Sequence, residues 1–389
     1  MIDGFLTVTG ESAGRNRNAV RLTRRAACTL AAAAMLIASF LGASHAQAPP
    51  PTPQPTPQVS NTSANTAVSS AFAALDLNGR YLQYLGGLGG PGWLANLFGS
   101  GPNPGGGGAP AAAAAATPRY RAWAEVYGLS SRTGPQVNFP GDTRSSVGGV
   151  AGLAANVAPG LMLGMSVDQS RTRINIVSLP QHATLDLTQV GVNAAYETGA
   201  WTFSAAGVAG FAHVDSNRDT PSGPATAGYG ANLYGAIGEA SYYIPLGAAR
   251  IVPKFGADWT RVRADAYTEA GGIDAVVVPA AVAERARVFA GGEIGRTWVI
   301  AKTVLDLSWY GRGVDIIHQQ VPSLTINAAA GPATPITVIG VSESKYGFDT
   351  GAAASVRLSP LARLYALYDG RFRHGFQSHG GTVGLELRW

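Results

Sequence analysis

The chain has 389 residues, 51 of them glycine, with 13% charged residues and a formal net charge of +5. That length allows two ordinary domains or one large barrel. Five arginines (Arg15, Arg17, Arg21, Arg24, Arg25) face only Asp3 and Glu11 before residue 47, so this stretch holds three of the five net charges and the rest carries about +2. A balance that slight gives no reason to propose nucleic acid as a partner. Cys28 is the sole cysteine, which excludes disulfides and thiolate metal sites from everything after it.

Residues 1–46 read as a secretory signal. A basic region ends at Arg24-Arg25, an apolar core runs from Ala26 to about Gly42, and small residues at Ser44-His45-Ala46 and Ala46-Gln47-Ala48 suit cleavage. The core is shorter than the roughly 20 residues a spanning helix needs. No later run is long and apolar enough either, so a membrane span would have to be built of strands.

Residues 47–118 read as a low-complexity linker or short passenger. Residues 49–57, Pro-Pro-Pro-Thr-Pro-Gln-Pro-Thr-Pro, form a polyproline-like spacer. Within 61–85, Ala64, Ala67, Val68, Ala71, Phe72 and Leu75 recur at helical spacing. Asn78-Gly79 is expected to stop or break that helix, with Tyr81, Leu82 and Leu85 adding a further turn. So little apolar area cannot hold a free helix in water. The stripe is therefore expected to plug or thread a barrel lumen. Residues 86–118 are mostly Gly, Pro and Ala, with one apolar knot at Trp93, Leu94, Leu97 and Phe98. Gly87 to Gly92 matches a dinucleotide-loop pattern by accident: no strand precedes it, and Pro91 sits where a helix should open.

From Arg119 the texture becomes repeated amphipathic strands. Leu161, Leu163, Met165 and Val167 alternate with Met162, Gly164, Ser166 and Asp168. Val383, Leu385, Leu387 and Trp389 alternate with Thr382, Gly384, Glu386 and Arg388. Period-two alternation puts one set on each face of a strand. Twelve such strands are expected, at 119–130, 145–157, 160–173, 183–197, 200–214, 228–244, 248–263, 285–299, 302–314, 344–358, 361–372 and 379–389. Each is long enough to cross a bilayer at a tilt.

Connections after even strands are tiny (158–159, 198–199, 245–247, 299–301, 359–360). Those after odd strands are mostly longer (131–144, 174–182, 215–227, 264–284, 315–343). Regular alternation of this kind is what short periplasmic turns and long external loops produce, and Greek-key sandwiches have no reason to show it. Trp201, Trp298 and Trp389 would all lie at the periplasmic interface, where indole favours the headgroup level, with Trp259 and Trp309 nearer the outer rim. The expected fold is all-β: a twelve-stranded antiparallel up-and-down transmembrane barrel at 119–389.

These strands carry a family likeness. Arg121 to Gly128, Ser146 to Leu153, Tyr267-Thr268-Glu269-Ala270-Gly271-Gly272 with Ala290 to Thr297, and Tyr368-Asp369-Gly370 with Gly384 to Trp389 occur in order and at suitable spacing. Residues 119–389 thereby resemble the translocator β-domain of the autotransporters (type V secretion). The resemblance implies a twelve-strand outer-membrane barrel that carries an N-terminal passenger to the cell surface. It also implies help from the barrel-assembly machinery and periplasmic chaperones. The family's pore helix usually directly precedes the barrel; here the amphipathic stretch lies further upstream.

No catalytic, cofactor-binding or metal-binding residue is expected, and no cofactor. His182, His213, His318, His374 and His379 fall in or beside external loops, where solvated polar residues need no further role. His213 and Asp215 could suggest a rim hydrolase, but no serine stands in a nucleophile elbow. The lumen is expected to carry Glu125, Asp168, Glu197, Lys254, Asp258, Arg287, Glu293, Asp306, Arg312, Lys345, Asp349, Arg363, Glu386 and Arg388. The mixed signs favour a cross-paired lining over an ion-selective one. Glycines at 164, 191, 291, 351 and 384 would leave room for a threaded segment. The expected function is anchoring or translocating the chain's own N-terminal segment. The alternatives are a surface adhesin acting through loops 264–284 and 315–343, and a small-solute channel.

Overall fold

The computed structural model describes residues 63–86, 119–136, 139–220, 223–271, 274–300, 303–329 and 335–389. The expected signal of 1–46, the proline-rich spacer of 49–57 and the expected linker beyond Gly86 lie outside these residues. Among the described residues one helix, α1 (Ser63–Gly86), precedes the strands. The first eight strands are β1 (Tyr120–Thr133), β2 (Asp142–Ala158), β3 (Leu161–Ile176), β4 (Gln181–Thr198), β5 (Trp201–Thr220), β6 (Gly223–Tyr242), β7 (Ile244–Leu246) and β8 (Ala249–Ala264). The others are β9 (Tyr267–Thr268), β10 (Val276–Val278), β11 (Ala281–Ile300), β12 (Thr303–Gln320), β13 (Ser323–Ala328), β14 (Ile336–Ile339), β15 (Tyr346–Arg357), β16 (Ala362–Arg373) and β17 (Phe376–Arg388).

Antiparallel neighbours run from β11 through β12, β15, β16, β17 and β1 to β6 and β8, and β8 pairs back to β11. The ring is closed, with twelve long strands and the short β7 extending the β6–β8 hairpin. Closure leaves no sheet edge for lipid to meet. The seam between first and last strands runs from Arg121 opposite Arg388 to Thr133 opposite Phe376. Beyond it, Tyr120 and Trp389 exchange two backbone bonds of 2.9 and 3.1 Å. Their rings lie 6.1 Å apart at the periplasmic rim, so the terminal aromatic closes the barrel and anchors it at the headgroup level.

The periplasmic turns are as short as expected. Gly160, Gly199 and Gly247 take left-handed φ values of 72°, 58° and 65° there, a conformation glycine adopts at no steric cost. The external side differs from expectation. The strands continue well past their expected ends, so 174–182 and 215–227 are mostly strand rather than loop. The reason is a change of face at the membrane boundary. On β3, Leu163, Met165 and Val167 point outward, whereas Ile174 and Ile176 point inward with Arg171 and Arg173 outside. On β4, Val190 and Val192 are outside and Leu185 and Leu187 inside. Next to lipid the apolar face is the outer one; above the lipid, where water surrounds the barrel, it is the inner one.

Loops 264–284 and 315–343 also hold structure. They supply a separate four-stranded sheet in the order β14-β13-β10-β9. Its inner residues Val276, Val278, Leu324, Ile326 and Val338 join one apolar cluster with Ala64, Ala67, Val68 and Ala71 of α1. The YTEAG segment pins this cap. Tyr267 stacks on Tyr229 with ring centres 4.4 Å apart. Arg218 donates to Glu269 at 2.6 Å in a buried pair, and the Val276 N–H donates to the same carboxylate at 3.2 Å.

Val192 is 63% exposed near the middle of β4. Val192→Arg is expected to destabilise the barrel by about 2–4 kcal/mol, the depth-dependent cost of a cation on the lipid face. Val192→Leu should stay within about 0.5 kcal/mol. Urea titration in lipid, read by heat-modifiable mobility on a gel, measures both.

Candidate functional site

The lumen is filled by α1. Each of its residues from Ala64 to Gly86 is buried. At about 1.5 Å per residue, 24 residues span roughly the height of the bilayer core. The helix does not break at Asn78-Gly79. Asn78 donates to Gln189 at 3.0 Å, and Gly79 lies against Arg285, whose Nη2 would sit 2.9 Å from an added Cβ. Contacts with the wall outweigh the weak helix propensity of this pair.

The direction of α1 is fixed by its partners. Ser69 near its start bonds to Asp142, the first residue of β2 at the external rim. Asp76 accepts from Arg371 at 2.9 Å. Arg80 donates to Thr382 at 2.9 Å, and its guanidinium lies 3.7 Å from the Tyr127 ring centre. Tyr81 bonds to Ser166 at 2.5 Å and Tyr84 to Tyr365 at 3.5 Å. The carbonyl of Gly86 accepts from Ser204, four residues into β5 at the periplasmic end. The N-terminus of α1 therefore opens to the outside and its C-terminus to the periplasm.

The wall is cut to fit. A Cβ at Gly191 would lie 2.3 Å from Leu85, and one at Gly235 would lie 2.4 Å from both Asn78 and Leu82. Of the five glycines expected to make room, only Gly191 faces the helix. Gly164, Gly291, Gly351 and Gly384 instead abut Asn193, Arg312, Tyr310 and Tyr365. On the opposite side, a gap of about 50 Å³ remains between α1 and the β12–β17 wall, beside Arg80, Tyr84, Tyr310 and Arg371. That is room for a water or two, not for a solute.

The expected lumen charges are largely there and cross-paired. Arg287 meets Asp258 at 2.7 Å, Arg312 meets Asp349 at 2.9 Å, Lys254 meets Glu293 at 3.3 Å and Arg363 meets Glu386 at 2.6 Å. Asp306 is held by Arg250 at 2.7 Å. Asp168 accepts from Tyr127 and Gln189, both at 2.9 Å, and Glu125 accepts from Tyr365 at 3.1 Å. Glu197 is half-buried near the periplasmic end, and Arg388 pairs with Glu386. Lys345 is the exception: it precedes β15 and is exposed. Sequence reading missed Arg250, Arg285, Arg371, Arg373 and Glu343, all buried. It also missed the helix charges Asp76 and Arg80, because it treated α1 as an alanine stripe. The acid–base spacing of four in Asp76-x-x-x-Arg80 was the available signal.

His213 and Asp215 do meet, at 3.3 Å, but both side chains are more than half exposed on the outer surface.

A closed twelve-strand barrel filled by an upstream helix that opens outward defines a class: outer-membrane translocators that hold their own chain. Residues 122–369 match the autotransporter β-domain, well over half of the chain, and the protein belongs to that family of the bacterial outer membrane. Two solved structures share the fold. The translocator domain of the autotransporter NalP from Neisseria meningitidis aligns at 13% identity and a TM-score of 0.63, covering 84% of this chain and all of that one. The β-domain of the Bordetella autotransporter BrkA aligns at 15% identity and a TM-score of 0.54, covering 70% and 100%. No curated protein matches the sequence.

Proposed function

We propose that this barrel carries its own N-terminal segment through its lumen to the cell surface and then keeps α1 as a permanent plug and tether. The observation that carries this is the direction of α1: Ser69, near its start, bonds to Asp142 at the external rim, and Gly86, its last residue, accepts from Ser204 at the periplasmic end. On this reading residues 1–46 are a removed leader, 47–118 are the cargo, plug and linker, and 119–389 are the translocator. The barrel-assembly machinery and periplasmic chaperones serve its insertion. The mechanism is physical rather than chemical. The lipid-facing sheet satisfies its own backbone, and the polar lumen gives a moving chain substitute hydrogen bonds.

An epitope inserted after Pro57 tests the proposal. It is expected to bind antibody on intact cells. Binding only after the outer membrane is permeabilised would refute it.

A further inference from the structure

Residues 47–118 contain two charged side chains, Asp76 and Arg80. The stretches 47–75 and 81–118 carry none. The pair stands one helical turn apart, on one face of α1. The wall beside it is sorted by sign along the same axis. Arg371, Ser378, Ser131 and Arg144 are register neighbours across β16, β17, β1 and β2. Arg371 and Arg144 therefore share a row of the sheet, and Arg285 and Arg287 join them within electrostatic range of Asp76. Nearer the periplasm on β1 stands Glu125, whose row runs through Val150 to Asp168. Both acids are buried, and both have Arg80 within electrostatic range. The seat of Arg80, formed by Thr382 opposite Tyr127, lies between the two rows.

Each direction of travel is therefore opposed. One turn outward would carry Arg80 to the place of Asp76, beside Arg371. One turn inward would carry Asp76 to the place of Arg80, toward Glu125 and Asp168. Either move brings like charges together in a buried setting, where salt screens weakly. It also takes from Arg371 its buried partner. Arg144, Arg285 and Arg287 have acids of their own in Asp142, Glu343 and Asp258, whereas Arg371 would keep only the partly exposed Asp369. Uncharged residues meet no such barrier.

We infer that Asp76 and Arg80 form an electrostatic stop. The uncharged segment before them slides through the lumen, and the chain halts at the register where both charges match the wall. This rests on the proposed passage of the segment to the surface. Within that passage the two wall rows are the stop site, and what they recognise is an acid and a base spaced by four on a helix. The stop sets how much of the segment emerges.

Exchanging the charges tests it. In Asp76→Arg/Arg80→Asp the original register opposes both charges. A slip of one turn outward, about 6 Å, returns an acid to Arg371 and brings the cation at position 76 to the turn beside Asp142, the partner of Ser69. Register is read by disulfides in full-length, heat-modifiable protein carrying Cys28→Ser. A Cβ at Gly86 would lie 2.5 Å from the Ile237 side chain, so Gly86→Cys with Ile237→Cys reports the original register. Gly90→Cys with Ile237→Cys reports the slip. With native charges the 86–237 bridge is expected and the 90–237 bridge is not; with exchanged charges the preference should reverse, a shift of four residues. The neutral chain Asp76→Asn/Arg80→Gln, which sets no extra charge against the wall, should give both bridges. An 86–237 bridge retained alone in either variant would overturn the inference, because packing would then set the register. Loss of both bridges in the exchanged chain would overturn it too, since the charges would then hold α1 without choosing its place. The epitope after Pro57, carried in the native-charge chain, reads the passage itself, so the stop and the passage can fail separately.

Discussion

Deletion of residues 63–86 is expected to turn an almost closed barrel into an open channel. With α1 in place, the gap between it and the β12–β17 wall is about 50 Å³, and every helix residue from Ala64 onward is buried. A helix with its side chains is about 10–12 Å across, so its removal leaves a water-filled bore on that scale. The bore would be lined by paired charges of both signs, and it should conduct cations and anions with little preference. Planar-bilayer recordings check this: the full chain should be nearly silent, and the deletion should give large, steady steps. Equal conductance from the two proteins would mean that α1 is not the plug.

The second large effect is expected at Asp76. Its carboxylate sits 2.9 Å from Arg371 with both side chains almost fully buried, and Arg144, Arg285 and Arg287 also lie within electrostatic range. Removing one partner of a buried pair costs about 3–5 kcal/mol, because the other charge is left uncompensated. Asp76→Arg goes further and adds a cation to a basic zone. The helix should then leave its seat, and the variant should flicker between closed and open in the same recordings. Adding Arg371→Asp should restore much of the closure. Arg371 also touches Asp369 at 3.2 Å, so the restoration will be incomplete. A double variant no better closed than Asp76→Arg alone would show that the pair does not hold the helix.

Much of this architecture is legible in the sequence because lipid imposes a simple rule. Leu163, Met165 and Val167 must face outward while Ser166 and Asp168 face inward, so period two alone reveals strand and face. The alternation of short and long connections then orients the barrel. The external third is harder to see because the rule reverses there. Ile174, Leu185 and Val214 are core residues of a water-surrounded barrel, and an apolar pattern that changes parity within one strand reads as the strand's end. The cap sheet is harder still: β9 has two residues and β10 three, too few for any period. Many lumen charges were legible as charges but not with their partners: Glu125 accepts from Tyr365, 240 residues away. Arg371 and Asp76, 295 residues apart, were legible as neither. The continuous helix was missed for a local reason. Asn78-Gly79 is a poor helix former in isolation, and only the wall around Gln189 and Arg285 makes it a good one here.

The most direct test of the account is the sidedness of the two ends of α1. In chains carrying Cys28→Ser, a single cysteine is placed before the helix (Ser60→Cys) or after it (Ala95→Cys). Intact cells are then treated with a membrane-impermeant maleimide. The account predicts that residue 60 labels in intact cells and that residue 95 labels only once the outer membrane is permeabilised. Labelling of residue 95 but not residue 60 on intact cells would contradict it.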